Sequence, residues 1–524
     1  MKRVVAALLI AWVGVASAAA LSDAPDAALA PFRRLAIQHN GRVKPLDSYA
    51  RETVYLLTGA TQFRQLDSFR LILEIARHPE TWQAEPLIAL PYRPLRAHLG
   101  FDARTTHVSY RGLLDKRTLM PLLPAIVAKQ QAGESLTLLE HETFDVYTRF
   151  VALTEVMRWE LALVPPPVGQ REWEVLPLAQ WEQAFDWEAG PDTLQAAGQQ
   201  FLLQLRAVNP TMYPPTWTIE LELWYHRLRP FRWAWWLYAA SALCLLGIRW
   251  GRRVGVAAFG LGMLWHAAGI LTRVVLSGHP PVTNFFETML WLPLVAVLVA
   301  SVLEAIYRTR YLLFSAALVA ALTLALSEQV PLDPHLVPVV AVLRSNKWLT
   351  IHVLTIVGSY GALALAMVLA HVYGAVYLRR GRAAPALSAL EQYLYRVMQV
   401  GVVLLAAGIM LGAVWANASW GRYWGWDPKE TWALITLLWF LAILHGRIAG
   451  WLRGVGQAVA TIGGFVLLLM TYYGVSFYLV GLHSYAGGHA KPLPLPLLGY
   501  LVGETLFIVA VACRRLALER SEVA

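Results

Sequence analysis

A tryptophan-rich loop is the part of this sequence whose residue types point most directly to chemistry. It holds four tryptophans, two basic and two acidic residues: Trp420-Gly421-Arg422-Tyr423-Trp424-Gly425-Trp426-Asp427-Pro428-Lys429-Glu430-Thr431-Trp432. The loop lies between two long apolar segments, where most loops are short and polar. Several flat indole faces together suit a flat, apolar ligand. The sequence therefore predicts that such a ligand binds here, at the edge of the membrane.

Two histidines are expected at the same membrane depth as this loop. His352 lies one turn inside the outer end of the fifth predicted membrane helix, and His483 follows the outer end of the eighth. A six-coordinate haem iron takes one axial nitrogen from each side, so two facing imidazoles would bind it. A single interfacial histidine is more often a residue that reaches to water. The pairing beside the loop favours axial ligands, with Arg422, Lys429 or Arg273 as partners of the haem propionates.

Three further histidines fall inside predicted membrane helices. His445 lies near the inner end of the seventh helix, His266 near the middle of the second, and His371 in the fifth. Ionisable groups inside a bilayer are functional candidates by default. His445 and His266 are thus candidate transmembrane haem ligands, with His371 or a partner subunit as another source of a nitrogen opposite His445. For His266 and His371 the alternative is a neutral histidine hydrogen-bonded to a neighbouring helix.

The loop also has a purely structural interpretation. Asp427, Pro428 and Glu430 occupy positions typical of N-cap, N1 and N3 of the seventh membrane helix. Tryptophans at a membrane edge are also common as belt residues. The cap explains the acids but not the glycine-spaced indoles, so Asp427 is assigned mainly to shaping the loop. The predicted haem-binding residues of the loop are Trp420, Arg422, Trp424, Trp426, Asp427 and Trp432.

The elements that must position these residues are membrane helices. The chain is 57% apolar and 15% charged, which is typical of neither soluble nor disordered proteins. From Phe231 onward, apolar runs recur that are long enough to cross a bilayer as helices. Nine spans are predicted, near residues 231–248, 254–276, 286–306, 311–328, 349–378, 396–416, 431–446, 455–480 and 495–513.

Charge and the N-terminus indicate the orientation of these spans. Arginines concentrate in alternate connections, and the positive-inside tendency makes that side, with the C-terminus, cytoplasmic. Residues 1–20 have the pattern of a secretory signal peptide or a retained signal anchor. Residues 21–225 are therefore expected to form a mostly helical domain on the outer, periplasmic side of a bacterial inner membrane. The two cysteines, Cys244 and Cys513, form no CxxC or CxxCH, so covalent haem attachment to this chain is excluded.

The tryptophan loop resembles the WWD motif of the haem-handling proteins of cytochrome c biogenesis. The surrounding segments resemble the ResC/CcsA branch of that family, over roughly residues 231–485. They are Ser277-Gly-His-Pro-Pro-Val-Thr-Asn284 followed by Phe-Phe-Glu287-Thr (an external turn), Trp348-Leu-Thr-x-His352-Val and Gly481-x-His483-Ser-Tyr (external histidines), and Leu444-His445 (a transmembrane histidine).

The resemblance implies an activity. Haem b, one or two molecules, would be held at the outer face between the external histidines and attached through thioethers to the CxxCH cysteines of an apocytochrome c. The chain would work with a ResB/CcsB-like membrane subunit as part of a holocytochrome c synthase, or haem lyase. The region around Gln38–Asp47 resembles large members of the family, and docking of a partner by residues 21–225 is a hypothesis.

Three other functions remain compatible with the sequence. A haem-delivery carrier without synthase activity, like the CcmC relatives, would pass haem to a separate chaperone. A b-type electron-transfer protein would use the histidines for redox chemistry. A solute transporter would carry the tryptophans as a structural belt. Since the sequence has no Ser-His-Asp set, phosphate loop or zinc motif, the chemistry of soluble enzymes is not expected.

Overall fold

The structure, a computed structural model, divides into two compact units, Met1–Arg227 and Leu228–Ala524. It describes residues 24–64, 66–132, 134, 136–185, 190–247, 251–329, 335–336, 347–479, 481–483 and 494–523. The predicted signal segment lies outside the described residues, and so do most of the connections between the predicted spans over residues 328–348 and 481–494. The assignment of the first unit to the outer side of the membrane stays a prediction.

The first unit is mostly helical, as predicted. Its helices are α1 (Ala24–Arg33), α2 (Leu46–Thr58), α3 (Ser68–Arg77), α4 (Pro79–Trp82), α5 (Arg93–His98), α6 (Tyr110–Lys116), the 3-10 helix Met120–Leu122, α7 (Leu123–Gln131), α8 (Leu138–Arg158), α9 (Leu178–Ala184), α10 (Pro191–Val208) and α11 (Thr216–Leu228). Its strands pair in four small antiparallel sheets, β1 (Ala36–His39) with β2 (Arg42–Pro45), β3 (Gln62–Phe63) with β4 (Leu66–Asp67), β5 (Ile88–Ala89) with β6 (His107–Val108), and β7 (Ala162–Val164) with β8 (Glu174–Val175).

The hairpin β1–β2 is a feature that the sequence analysis did not predict. Asn40 and Gly41 form its turn, both with positive φ, which is the conformation that asparagine and glycine tolerate best in two-residue hairpins. The hairpin is tied to α11 because Arg42 donates two hydrogen bonds of 2.7 Å to the buried carboxylate of Glu222. The Asn-Gly pair was the local signal for this turn.

The second unit is built from long helices. They are α12 (Pro230–Leu246), α13 (Gly251–Ser277), α14 (Phe285–Tyr307), α15 (Arg310–Gln329), α16 (Lys347–Arg380), α17 (Ala386–Trp420), α18 (Pro428–Ile448), α19 (Val455–Leu469), a π-helix (Met470–Gly474), α20 (Val475–Tyr478) and α21 (Leu495–Val523). Eight helices of the described residues are long and apolar enough to cross a membrane, and α19 to α20 count as one of them. The remaining predicted span, α12, has 17 residues, the lower limit for crossing a bilayer. The chain is therefore an all-α, multi-pass membrane protein, as predicted.

Helix α16 is the centre of the second unit. It packs against α14, α15, α17, α19 and α21, and most of the side chains in its middle are buried. It carries His352 near one end and His371 near the other. The orientation of this helix therefore decides what surrounds both histidines.

Helix α17 is longer than the predicted span over residues 396–416. It begins ten residues earlier, at Ala386, because Leu387, Leu390 and Leu394 are buried at helical spacing against the rest of the unit. At its other end Gly421 adopts a left-handed conformation and terminates the helix directly after Trp420. The first tryptophan of the loop is therefore held by a helix.

Candidate functional site

A pocket opens at the end of the second unit that carries the tryptophan loop. Its empty space amounts to about 890 Å³, part of it open to the surroundings. Its wall consists of two imidazoles (His352, His483), seven aromatic residues (Phe285, Tyr360, Trp415, Trp420, Tyr423, Trp424, Tyr472), four polar residues (Thr288, Lys429, Glu430, Ser476) and small or aliphatic residues (Val353, Ile356, Val357, Ile409, Gly412, Ala413, Ala416, Ala433). The pocket thus joins the two predicted external histidines to the predicted loop.

His352 projects from α16 and is fixed by α17. Its Nδ1 lies 2.8 Å from the carbonyl oxygen of Gly408. A carbonyl only accepts, so Nδ1 must carry the proton and the Nε2 lone pair is available. Gly412 makes this approach possible, since a Cβ atom there would lie 2.6 Å from Cε1 of the imidazole. No hydrogen bond to Nε2 is formed by the residues that the structure describes.

His483 is held by the carboxylate of Asp427. Its Nδ1 donates to Oδ2 of Asp427 at 2.8 Å, while the backbone N–H of Leu482 donates to Oδ1 at 2.7 Å. Again Nε2 has no hydrogen-bonding partner within the described part of the chain. A carboxylate behind a histidine is the usual way in which proteins orient a metal-binding imidazole and raise its basicity.

Asp427 does more than the predicted capping. It caps α18 through the N–H of Lys429, and Glu430 completes the predicted capping box. Burial by itself would raise the pKa of the Asp427 carboxyl, but the hydrogen bonds from His483 and from two backbone N–H groups lower this pKa below its ordinary value. The carboxylate therefore stays ionised and serves both the helix end and the imidazole.

Trp415 connects the two histidines and was missed by the sequence analysis. Its ring, 6% exposed, is nearly parallel to that of His352, with centroids 6.3 Å apart, and its centroid is 6.1 Å from that of His483. Its Nε1 is buried without a hydrogen-bond partner among the described residues. A tryptophan in the last turns of a membrane helix is typical of a belt residue. Only its helical spacing from Gly412 could have indicated that it faces His352.

The residues of the predicted loop divide into two groups. Trp420 and Trp424 line the pocket, and the Trp420 ring packs perpendicular to His483 at 5.7 Å. Trp426 is 70% exposed, with positive φ, and stands perpendicular to Trp424 at 5.8 Å. Arg422 is exposed and Trp432 is half-buried, and neither lines the pocket. The structure thus brings two of the four indoles to the histidines.

His266 lies elsewhere and has both ring nitrogens occupied. It is fully buried in α13, with Nε2 2.9 Å from the carbonyl of Leu290 and Nδ1 3.5 Å from the hydroxyl of Tyr238. It does not line the pocket. These contacts match the alternative interpretation of a histidine hydrogen-bonded to neighbouring helices.

His371 and His445 differ in how many of their ring nitrogens have a hydrogen-bonding partner. Nδ1 of His371 lies 2.9 Å from the carbonyl oxygen of Met367, and its Nε2 lies 2.8 Å from a carboxylate oxygen of Glu504. His445 is exposed on α18, and its Nδ1 lies 2.7 Å from the carbonyl of Leu441 one turn earlier. Of these two residues, only His445 has a nitrogen that no described residue occupies.

The donor set of the pocket suits a porphyrin-bound iron better than a bare ion. In the described residues there is no group of three or more His, Cys, Asp and Glu side chains placed to hold a metal ion. Two imidazoles are enough for an iron whose other four ligands come from a porphyrin ring. Aromatic walls and two Nε2 atoms that no described residue occupies therefore fit haem as the ligand.

Known proteins are similar to this part of the chain. The family model of the cytochrome c assembly protein matches residues 282–483. Protein NrfI of Wolinella succinogenes is 29% identical over 88% of this chain, which covers 55% of NrfI. The cytochrome c biogenesis protein CcsA of Prochlorococcus marinus subsp. pastoris is 34% identical, over 42% of this chain and 80% of that protein. CcsA of Chlorella vulgaris is 31% identical, over 44% and 85%.

The two kinds of relative cover different parts of the chain. The CcsA proteins match less than half of this chain, whereas NrfI matches most of it. This chain in turn spans about half the length of NrfI. The two CcsA proteins named above are matched over 80% and 85% of their own length, at 34% and 31% identity. The chain therefore belongs to the cytochrome c assembly protein family as a large member of its CcsA type, and its role lies in cytochrome c biogenesis.

Proposed function

We propose that this chain holds haem at the outer face of the membrane between His352 and His483 and promotes its attachment to apocytochrome c. One observation carries the proposal: both imidazoles line one pocket, each with Nδ1 hydrogen-bonded to the protein and Nε2 without a partner among the described residues. Metal-binding histidines generally have their second nitrogen held in this way. Haem b is the substrate, and Trp415, Trp420 and Trp424 cover its apolar faces.

In the proposed reaction, this chain forms no covalent bond itself. A cysteine thiol of the CxxCH segment adds across a haem vinyl group: a carbon–sulfur bond forms, the thiol hydrogen moves to the other vinyl carbon, and no electrons are gained or lost. The nucleophile belongs to the apocytochrome. The contribution of this chain is to fix position and orientation, which is worth up to about 7–11 kcal/mol in favourable cases. The histidine of CxxCH then replaces one of the two external imidazoles, and the product leaves.

A ResB/CcsB-like subunit and an inner-membrane location complete the proposal. His445 is exposed on α18, and no described residue occupies its Nε2, so a second, transmembrane haem would need its other nitrogen from such a subunit. His266 has no free nitrogen to offer that haem. Residues 21–225 would dock the subunit or the apocytochrome on the periplasmic side. Deletion of residues 25–220 should abolish co-purification of the partner and lower the yield of cytochrome c; unchanged values would contradict the docking role.

The ligand assignment is tested by His352→Gly and His483→Gly in cells that make a reporter cytochrome c. Each variant should lose the absorption spectrum of bis-histidine haem and produce little covalent haem. Added imidazole should restore part of both, because it fills the space that glycine leaves. His371→Asn, on the same helix as His352, is the matched control and should keep the spectrum. Normal covalent haem in the glycine variants without imidazole would refute the proposal.

A further inference from the structure

The pocket contains a cation whose position is fixed by the protein. Lys429 is the second residue of α18, and its Nζ lies 2.8 Å from Oγ of Ser476 and 3.1 Å from the carbonyl oxygen of Tyr472. Both groups accept. An ammonium has three N–H donors, so one remains for a ligand in the pocket.

The charge of Lys429 is not neutralised by a contact within the described residues. No carboxylate oxygen of these residues lies within 4.0 Å of Nζ. The two acids nearest in sequence have other partners: Asp427 binds His483, and Glu430 accepts from the N–H groups of Gly425 and Asp427. A cation withdrawn from water without an anionic partner is costly. An anionic group of the ligand would offset this cost.

Arg422 and Arg273, the other two predicted partners of the haem propionates, do not face the pocket as Lys429 does. Arg422 is exposed on the loop and does not line the pocket. Arg273 is fully buried, with Nη2 2.9 Å from the carboxylate of Glu287 and 3.2 Å from the carbonyl oxygen of His335. Of the three, Lys429 is the one whose ammonium faces the site.

The wall of the pocket is also divided chemically. Around Lys429 it is polar, with Ser476 and with the hydroxyl groups of Thr288 and Tyr472, which are 2.8 Å apart. The part that α17 supplies from Ile409 to Ala416 carries no charge. Haem has a matching division, because its two propionate carboxylates share one edge while its vinyl groups are apolar.

We propose that Lys429 binds a propionate of the haem and so determines which edge of the porphyrin faces the uncharged wall of α17. The inference rests on the proposed function and adds an orientation to it. Ser476 and Tyr472 hold the ammonium, which pairs with the carboxylate by a charge-assisted hydrogen bond. The vinyl groups, on which the thioethers form, are thereby kept away from Lys429.

The test uses the purified full chain in detergent and two ligands, haemin and haemin dimethyl ester, whose propionates are uncharged. Their dissociation constants are measured from the Soret absorption for wild type, Lys429→Met and Lys429→Arg. Loss of a charge-assisted hydrogen bond should weaken haemin binding about tenfold or more in Lys429→Met. Binding of the ester should change little, and Lys429→Arg should recover most of the affinity for haemin. Lys347→Met, at an exposed lysine of the same unit, is the matched control.

The outcomes separate this inference from the proposed function. If Lys429→Met weakens both ligands equally or neither, Lys429 does not bind a propionate, even where the bis-histidine spectrum is intact. If haemin binds with other axial ligands but still depends on Lys429, the orientation stands and the histidine assignment falls. If wild type binds neither ligand, both are overturned.

Discussion

His352 and His483, at the loop end of the membrane unit, differ from His266 and His371, deeper in its helices, in how the protein uses their two nitrogens. His352 and His483 share a pocket and offer Nε2 to it, with Nδ1 held. His266 and His371 have both nitrogens hydrogen-bonded to other helices or to their own helix turn. The depth of a histidine in the membrane therefore does not by itself make it a ligand. What distinguishes His352 and His483 from His266 and His371 is whether a nitrogen is left without a partner among the described residues.

The partners of Nδ1 explain how the difference is built. At the loop end they are a helix carbonyl and a carboxylate that also caps α18. Deeper in the membrane, Leu290 and Glu504 bring an acceptor to Nε2 itself. An unsatisfied ring nitrogen is costly in hydrocarbon, so a structural histidine must use both. The pair at the loop end can leave one nitrogen without a partner among the described residues because it faces an open pocket.

Among the substitutions that test this comparison, Asp427→Ala is expected to lower haem affinity most. Removal of a group that orients a metal-binding histidine typically costs 10–100-fold in metal affinity, and loss of the cap costs about 0.5–2 kcal/mol of stability. Titration followed by Soret absorption measures the haem affinity, and thermal unfolding measures the stability. Asp427→Asn, which keeps a capping oxygen, should retain the stability but not the affinity. Unchanged haem affinity in both variants would show that His483 needs no carboxylate.

A smaller loss is expected from Gly412→Ala. The added methyl group would lie 2.6 Å from Cε1 of His352, so the ring must move, and overpacking of this kind typically costs 1–3 kcal/mol. Haem affinity should fall by about tenfold. Gly503→Ala is the control, because a Cβ atom there meets nothing within 4 Å among the described residues. If both variants bind haem like wild type, the His352 ring is not held as described.

Sequence reasoning reached the elements of this site but not its contacts. Apolar runs predicted the helices, and the Asp427 to Glu430 pattern predicted the cap. The acceptors of the imidazoles depend on the register between helices, which no local pattern specifies. Gly408 meets His352 across 56 residues, and Asp427 meets His483 across the same number. The sequence therefore indicated which histidines share a level, while only the structure gives the nitrogen that each leaves free.

His266→Phe tests the other side of the comparison. The variant removes the hydrogen bond to the carbonyl of Leu290 and leaves that oxygen without its partner, at a cost of about 1–3 kcal/mol. The free energy of unfolding should fall by this amount, whereas haem affinity and the bis-histidine spectrum should stay as in wild type. A spectrum that loses intensity in a fully folded variant would instead make His266 a ligand.

The smallest effect concerns a histidine of the first unit that is neutral for structural reasons. His39 ends β1, packs edge-on against Tyr49 at 4.9 Å, and has Nζ of Lys44 3.5 Å from Nδ1. Burial, and next the charge of Lys44, lower the pKa of His39 from 6.5 to about 4, against a smaller opposite effect of Glu52. Because the folded pKa is lower than the unfolded one, protonation favours unfolding.

The contribution of His39 to stability should therefore be complete above pH 6.5 and decline as the pH falls towards 4. Hydrogen exchange of the amides in β1 and β2 should quicken between pH 6.5 and 4 beyond its intrinsic pH dependence, and His39→Gln should abolish this excess. Here a proton competes with the fold, whereas at His352 and His483 it would compete with iron for Nε2. If His39→Gln leaves the excess unchanged, the pH dependence of the hairpin does not come from His39.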